Sequence, residues 1–148
     1  MKIRAAITVG VLVFIDQLTK FMAATHLKPY ESYPVLKGIF HLTLIHNSGA
    51  AFGFFKQRVA IFIFISIVTI LLIIFCAKRF QYNYHYARAG LLLILAGAIG
   101  NLIDRIRLGC VVDFLDFRIW PVFNFADILI SLGGLFLIYY IVSIKRKT

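Results

Sequence analysis

The sequence predicts a mainly α-helical integral membrane protein with four transmembrane helices and a small extracytoplasmic β-sheet between the first two helices. The chain has 148 residues, of which 61% are hydrophobic, and its mean hydropathy is +0.91. Soluble globular domains are usually only about 45–50% apolar. Four apolar runs also approach the roughly 20 residues that a helix needs to cross a bilayer. We expect residues 1–148 to form a single membrane-embedded domain, because little chain remains outside the spans.

The first predicted helix covers about residues 5–24. Lys2 and Arg4 followed by an apolar run are typical of a cleavable secretory signal peptide. However, Asp16 and Lys20 interrupt the run before it resumes at Phe21, so we interpret it as a retained transmembrane helix. Asp16 and Lys20 are four residues apart and share a helical face, where they can neutralise each other.

The segment 26–58 is the longest polar stretch and predicts a small sheet at the membrane surface. Pro29, Pro34 and Gly38 disfavour helix, and apolar and polar residues alternate over 40–44, as expected for a strand. Asn47 then opens a run of small residues, 47–53, which allows the backbone to approach another chain closely.

The remaining spans are predicted at about 59–77, 87–105 and 124–144. The second is free of charges, which indicates a scaffold helix. The third carries small residues that permit close helix packing, namely Ala96, Gly97, Ala98 and Gly100. Asn101, Asp104 and Arg105 follow at spacings that place them near one face. Between the last two helices, 111–114 reads as a short extended segment, and the aromatic residues that follow are typical of a membrane interface.

An even number of spans places both termini on one side of the membrane. Half of the 16 Lys and Arg residues lie at the termini and in the loop 78–88. These eight are concentrated in short segments directly beside the spans, which predicts that the termini are cytoplasmic. The polar residues at the other helix ends then lie on the extracytoplasmic side.

The acidic residues are concentrated where a membrane protein would be expected to avoid them. Four of the six lie between Gly97 and Asp127, and ionisable groups in or beside a span usually have a function. Three aspartates have a nearby basic residue: Asp16 has Lys20, Asp104 has Arg107, and Asp116 has Arg118.

Asp113 and Asp127 have no basic residue within four positions in the sequence. Two aspartates brought together in an apolar site tend to share one proton, which supplies the general base and general acid that peptide hydrolysis requires. The alternative for Asp127 is structural, because Asn124 and Asp127 could be the N-cap and a first-turn acid of the fourth helix.

Other kinds of site are disfavoured. The net charge of +10 comes from scattered residues without a basic stripe, so we expect contacts with lipid headgroups and no nucleic-acid binding. His46 and Ser48 lack an orienting third group, and the four histidines lack metal-ligand spacing. Cys76 and Cys110 are expected at opposite faces of the bilayer and therefore unbonded, and no histidine is near Cys110 in sequence to activate it.

Two other functions use similar residues. A proton-coupled small membrane carrier would also place aspartates inside a bundle, but transporters usually have internal repeats and midplane sites. A metal-dependent lipid phosphotransferase would need several acids converging on magnesium. From the residues alone, a membrane hydrolase is only weakly favoured over the carrier.

Five motifs, taken in order and spacing, closely resemble those of the lipoprotein signal peptidase (signal peptidase II) family. They extend from the first predicted helix to the fourth and are Asp16-Gln17-Leu18-Thr19-Lys20, Asn47-Ser48-Gly49-Ala50-Ala51-Phe52-Gly53, Gly100-Asn101-Leu102-Ile103-Asp104-Arg105, Val111-Val112-Asp113-Phe114 and Asn124-Phe125-Ala126-Asp127.

The resemblance implies an aspartic endopeptidase of the bacterial plasma membrane with its active site on the extracytoplasmic side. Such enzymes remove the signal peptide from diacylglyceryl-modified prolipoproteins just before the lipobox cysteine, need no metal or cofactor, and are blocked by globomycin-type antibiotics. It also implies that Asp113 and Asp127 are catalytic. The implied supporting residues are Asp16, Asn47, Gly49, Asn101, Asp104, Arg105 and Asn124. We expect a monomer whose partners are membrane lipids and the lipid-modified prolipoprotein.

Overall fold

The computed structural model describes residues 2–49, 59–79 and 84–145. In these ranges it contains four α-helices, each long and apolar enough to cross a membrane, and a three-stranded sheet. The elements in chain order are α1 (Lys2–His26), β1 (Ser32–Leu36), β2 (Phe40–Asn47), α2 (Val59–Arg79), α3 (His85–Leu108), β3 (Val111–Asp116) and α4 (Phe125–Lys145).

The four helices lie at the four predicted spans, and their ends have local causes. Gly109 terminates α3 in the left-handed conformation, with φ of 71°, and its N–H donates to the Arg105 carbonyl at 3.1 Å. Glycine adopts this conformation without a Cβ penalty. Asn124, at the approximate predicted start of the fourth helix, precedes its first residue and caps its first turn, as the N-cap alternative predicted.

The sheet is antiparallel with the order β1-β2-β3. The sheet predicted between the first two helices is present as β1 and β2, and the extended segment predicted after the third helix joins it as the third strand, β3. Pairing with β3 satisfies the second edge of β2, which would otherwise expose a row of unpaired N–H and C=O groups. The register places Ile45 opposite Asp113 and Asn47 opposite Val111. A strand that precedes α2 in the sequence and a strand that follows α3 are thereby paired in one sheet.

A small apolar core fastens the sheet to the end of α1. It consists of Leu44 on β2, Val112 and Phe114 on β3, and Ala23 on α1, all buried. Because alternate residues of a strand point to opposite faces, the strand that buries Val112 and Phe114 turns Asp113 away from this core.

Helix α3 is central and contacts each of the other three helices. It approaches α4 closely where two glycines meet: a Cβ built on Gly90 would lie 2.7 Å from the Gly133 carbonyl oxygen, and one on Gly133 would lie 2.6 Å from the Gly90 carbonyl oxygen. The predicted small-residue patch on α3 is also used, since Gly97 lies against Ala126 of α4 and Gly100 against Asp16 of α1. Small residues at such crossings let helix backbones touch in a membrane.

Gly133 and Gly134 are neighbours on α4 but differ in surroundings, which makes a matched pair. We expect Gly133→Ala to lower the free energy of unfolding by about 1–3 kcal/mol, because the new methyl group meets backbone atoms of α3. At Gly134 a Cβ would meet nothing within 4 Å, so Gly134→Ala should be neutral or stabilise by up to about 1 kcal/mol through helix propensity.

Denaturant titration in detergent micelles measures both glycine variants. Equal destabilisation by the two would contradict the close α3–α4 contact at Gly133.

Both cysteines are free, as predicted. Cys76 on α2 is exposed, and Cys110 after α3 is half-buried.

Candidate active site

Asp113 on β3 lies at the junction of the sheet with the ends of α3 and α4. The residue is 2% exposed, and its carboxyl group accepts two hydrogen bonds. Asn47 on β2 donates from Nδ2 to Oδ2 at 2.8 Å, and Asn124 donates from Nδ2 to Oδ1 at 2.6 Å. Both carboxyl oxygens are therefore held by side-chain amides from separate segments.

Asp127 lies in the first turn of α4 and makes a reciprocal cap with Asn124. The Asn124 N–H donates to Asp127 Oδ2 at 3.2 Å, and the Asp127 N–H donates to Asn124 Oδ1 at 3.1 Å. The alternative prediction, that Asn124 and Asp127 cap the fourth helix, is thus correct. The cap does not use the whole carboxylate, because Asp127 Oδ1 also accepts from Asn101 Nδ2 of α3 at 2.9 Å.

The two carboxyl groups are joined through asparagines. Among the described residues no hydrogen bond connects Asp113 with Asp127 directly. Asn124 instead contacts both, through its side-chain amide and its backbone N–H, and also donates to Asn101 Oδ1 at 3.2 Å. The result is a continuous path from Asp113 through Asn124 and Asn101 to Asp127, in which Asp113, Asn124 and Asn101 are buried and Asp127 is half-buried.

Lys20 of α1 is a buried cation beside this path and is 3% exposed. Its Nζ lies 3.0 Å from Asp16 Oδ2 and 2.9 Å from Asp104 Oδ2, and it donates to Asn101 Oδ1 at 2.9 Å. The prediction that Arg107 pairs with Asp104 is therefore wrong. Arg107 is exposed, and Lys20, 84 positions earlier in the chain, occupies the buried side of the carboxylate.

Asp16 and Asp104 also tether the elements that carry the site. Asp16 Oδ1 accepts the Ala126 N–H at 2.9 Å, and Asp104 Oδ2 accepts the Val112 N–H at 3.2 Å. Gln17 donates to both carboxylates, at 3.1 and 3.0 Å. Sequence reasoning assigned no role to Gln17 and only local pairing to Lys20, although both belong to one of the quoted motifs.

Arg105 lies beside the site without an ion pair to a described carboxylate. Its guanidinium is 5.5 Å from the centre of the Phe62 ring and 3.5 Å from Ser66 Oγ. Gly49, with φ of 79°, packs against the same ring. Helix α2, which the sequence identified only as scaffold, therefore holds Arg105 in place. Ala50, Ala51, Phe52 and Gly53 of the second motif lie outside the described residues.

Burial raises the pKa of Asp113 to about 6, and the nearby Asp127 charge raises it further, while the hydrogen bonds from Asn47 and Asn124 and the Lys20 charge oppose the shift. Asp113 is thus a carboxyl group that holds its proton to higher pH than an ordinary aspartate. Burial also raises the pKa of the Cys110 thiol, which disfavours a thiolate nucleophile.

In the described parts of the chain, no group of three or more His, Cys, Asp or Glu side chains is placed to hold a metal ion.

Residues 8–143 match the family model described as Signal peptidase (SPase) II. The chain belongs to the signal peptidase II family. It is accordingly a peptidase of an aspartic peptidase family and a multi-pass bacterial membrane protein.

Two lipoprotein signal peptidases are similar to this chain over most of its length. The lipoprotein signal peptidase of Caldanaerobacter subterraneus is 47% identical over 141 residues, which are 93% of this chain and 95% of the relative. That of Moorella thermoacetica is 46% identical over 123 residues, or 83% and 82% of the two chains. A solved structure described as a bacterial membrane enzyme superposes with a TM-score of 0.88 at 31% identity, covering 98% of this chain and 91% of that one.

Proposed function

We propose that the protein is an aspartic endopeptidase that removes the signal peptide from diacylglyceryl-modified prolipoproteins just before the lipobox cysteine. The observation that carries the proposal is the pair Asp113 and Asp127, joined through Asn124, with the pKa of Asp113 raised to about 6. A carboxyl group that holds its proton beside a second carboxyl group can act as the acid of the pair. The chain's relatives are named for processing lipoproteins.

In the proposed reaction Asp113 carries the proton of the pair and Asp127 is the ionised partner. Asp127 accepts two N–H donors and lies in the first turn of α4, where the helix dipole favours negative charge. Asp127 takes a proton from the attacking water while Asp113 donates its proton to the scissile carbonyl oxygen. When the tetrahedral intermediate collapses, the proton on Asp127 passes to the leaving amine of the cysteine, and Asp113 recovers its own from the hydroxyl.

Arg105 and Asn47 are proposed to hold the substrate backbone. Arg105 Nη1 lies 3.5 Å from Ser66 Oγ and 3.4 Å from the Asn101 carbonyl oxygen, and no described carboxylate pairs with the guanidinium, so its other donors are available to peptide carbonyl oxygens. Asn47 is exposed as a residue although its amide reaches Asp113. Asp16 and Asp104 hold the starts of α4 and β3 and thus the spacing of the pair.

The proposed setting is the bacterial plasma membrane, with both termini cytoplasmic and the pair and sheet on the extracytoplasmic side. The dense basic residues at the termini and in the loop 78–88 support this orientation. A monomer suffices for the chemistry, since both aspartates and all their described partners belong to one chain.

Cleavage of paired substrates tests the proposal. Purified protein in lipid vesicles is given the same prolipoprotein with and without the diacylglyceryl group, with EDTA present. We expect cleavage of the modified form alone, with the lipidated cysteine as the new N-terminus. Equal cleavage of both forms would contradict the lipid requirement, and loss of activity with EDTA would contradict metal-free catalysis.

The pKa of Asp113 predicts the alkaline limb of the pH profile. The protonated form predominates below about pH 6 and is lost above it, so kcat/KM should fall as pH rises through this range. The hydrogen bond from Asn47 lowers this pKa. We therefore expect Asn47→Ala to reduce the maximum rate and to move the alkaline limb to higher pH.

His46→Gln is the matched control for Asn47→Ala. His46 is the exposed neighbour of Asn47 on β2, and its replacement should leave the pH profile in place. An alkaline limb that stays put in Asn47→Ala would contradict the assignment of the proton to Asp113.

A further inference from the structure

A second polar cluster lies on the sheet, apart from the helices. We call it the Asp116 cluster, and it consists of Ser32 on β1, His41 and Thr43 on β2, Asp116 on β3 and Arg118. Thr43 Oγ1 donates to Asp116 Oδ2 at 2.7 Å, or to Ser32 Oγ at 3.1 Å, and Ser32 Oγ lies 2.8 Å from His41 Nδ1. Arg118 donates to Asp116 from its backbone N–H at 2.8 Å and from Nη1 at 3.1 Å, and Nη1 also lies 3.5 Å from Ser32 Oγ.

A bulge in β3 turns Asp116 to the same face of the sheet as Asp113. The N–H groups of Phe114 and Leu115 both donate to the Phe123 carbonyl, at 3.0 and 2.8 Å, which is the two-against-one pattern of a β-bulge. Both side chains pack into the same apolar core with Leu44. The residues on either side of the bulge, Asp113 and Asp116, therefore point to the opposite face.

The distance between the two carboxylates suits an extended peptide. Asp113 and Asp116 are three residues apart, which is about 10 Å along a strand. A peptide lying across this face with its scissile bond at Asp113 reaches the Asp116 cluster with its second or third residue beyond that bond.

The Asp116 cluster has donors without described partners. His41 Nε2 is buried and has no hydrogen-bond partner among the described residues; it is a donor in the tautomer in which Nδ1 accepts from Ser32, and a buried polar atom of this kind usually requires a partner. The Arg118 side chain is 49% exposed, and only its Nη1 and backbone N–H have described partners. Arg118 has a positive φ of 65°, and its backbone N–H is used by Asp116, while Nη2 and Nε of the half-exposed side chain have no described partner.

We infer that the Asp116 cluster is a subsite for the polypeptide that follows the lipidated cysteine, an inference that rests on the proposed function. It takes hydrogen-bond acceptors, namely backbone carbonyls and amide or acidic side chains. An apolar signal sequence suits the apolar membrane-spanning helices, whereas the cluster is polar and is built from all three strands and the segment after β3, with β1 exposed along its whole length. The Asp116 cluster is thus the polar surface on which the polypeptide after the cysteine lies as it leaves the catalytic pair.

Two synthetic lipopeptides test the subsite. Both carry the same signal sequence and diacylglyceryl cysteine, but the short peptide ends at the cysteine amide and the long one continues with three polar residues. Wild type should have a kcat/KM about tenfold higher for the long peptide, the size expected for one charge-assisted hydrogen bond. In Arg118→Asn and in His41→Leu this long-to-short ratio should fall toward one.

The variants are chosen to keep the fold. Asparagine tolerates the positive φ of position 118, and leucine fills the space of His41 without its nitrogens. Lys28→Gln, which alters an exposed pair with Glu31, is the control and should keep the wild-type ratio. A wild-type ratio of one, or an unchanged ratio in both cluster variants, would overturn the subsite. Failure of wild type to cleave either peptide would instead contradict the proposed function.

Discussion

Asp113→Asn and Asp127→Asn are each expected to reduce cleavage of a diacylglyceryl-modified prolipoprotein on the order of 10⁴-fold. Each change removes a group that must exchange a proton during the reaction and keeps its size. The hydrogen bonds to Asn124 and Asn101 could be partly retained by amide rotation. Because the two carboxyl groups act as one unit, the double variant should be little worse than either single variant.

The measurement is single-turnover cleavage in membranes, with protein levels compared on an immunoblot. Glu31→Gln is the control for a carboxylate-to-amide change, since Glu31 makes only exposed contacts with Lys28 and Tyr33. If either aspartate variant cut at close to the wild-type rate, that carboxylate would be structural. Asp16 and Asp104 would then be the remaining acids near the site.

The sequence was informative where local rules apply. Long apolar runs located the four helices, and the αL glycine at position 109 marks the end of α3. Elimination of charge partners singled out Asp113 and Asp127, and both lie in one hydrogen-bonded cluster. The elimination relies on a cation close in sequence being close in space, as is the case for Arg118 and Asp116 at 3.1 Å.

The same rule was wrong for Asp104, because burial and tertiary packing determine its partner. Lys20 reaches it from another helix, and no local spacing reports that contact. Pairing of β3 with β2 is likewise a long-range contact. It depends on the free edge of β2 and on burial of the apolar face formed by Val112 and Phe114. The contact of Gly49 with Phe62 depends on how α2 folds back against the site.

Several contacts between α1 and α3 meet at Lys20. It joins Asp16 of its own helix to Asp104 and Asn101 of α3, and Asn101 in turn donates to Asp127. The two carboxylates that it neutralises hold the first turn of α4 and the first residues of β3, which carry Asp127 and Asp113. One buried ammonium group therefore supports the position of both members of the pair.

We expect Lys20→Met to lower the free energy of unfolding by about 3–5 kcal/mol, the usual cost of leaving buried charges without a partner. Asp16 is fully buried and Asp104 is 3% exposed, so neither can be solvated when the ammonium is removed. Adding Asp104→Asn to Lys20→Met should recover part of this loss, because one of the two unpaired carboxylates becomes neutral. Denaturant titration in detergent micelles measures all three proteins.

Comparison with an exposed ion pair tests whether the buried ion pairs of Lys20 stabilise the fold. Lys28 and Glu31 lie 3.6 Å apart with side chains 76% and 53% exposed, and such pairs contribute little to stability, so Lys28→Gln should have no measurable effect. If Lys20→Met were as mild as Lys28→Gln, the buried network would not hold α1, α3 and α4 together. If Lys20→Met were severe and Asp104→Asn failed to relieve it, the loss would come from the Asn101 contact and its link to Asp127, and not from unpaired charge.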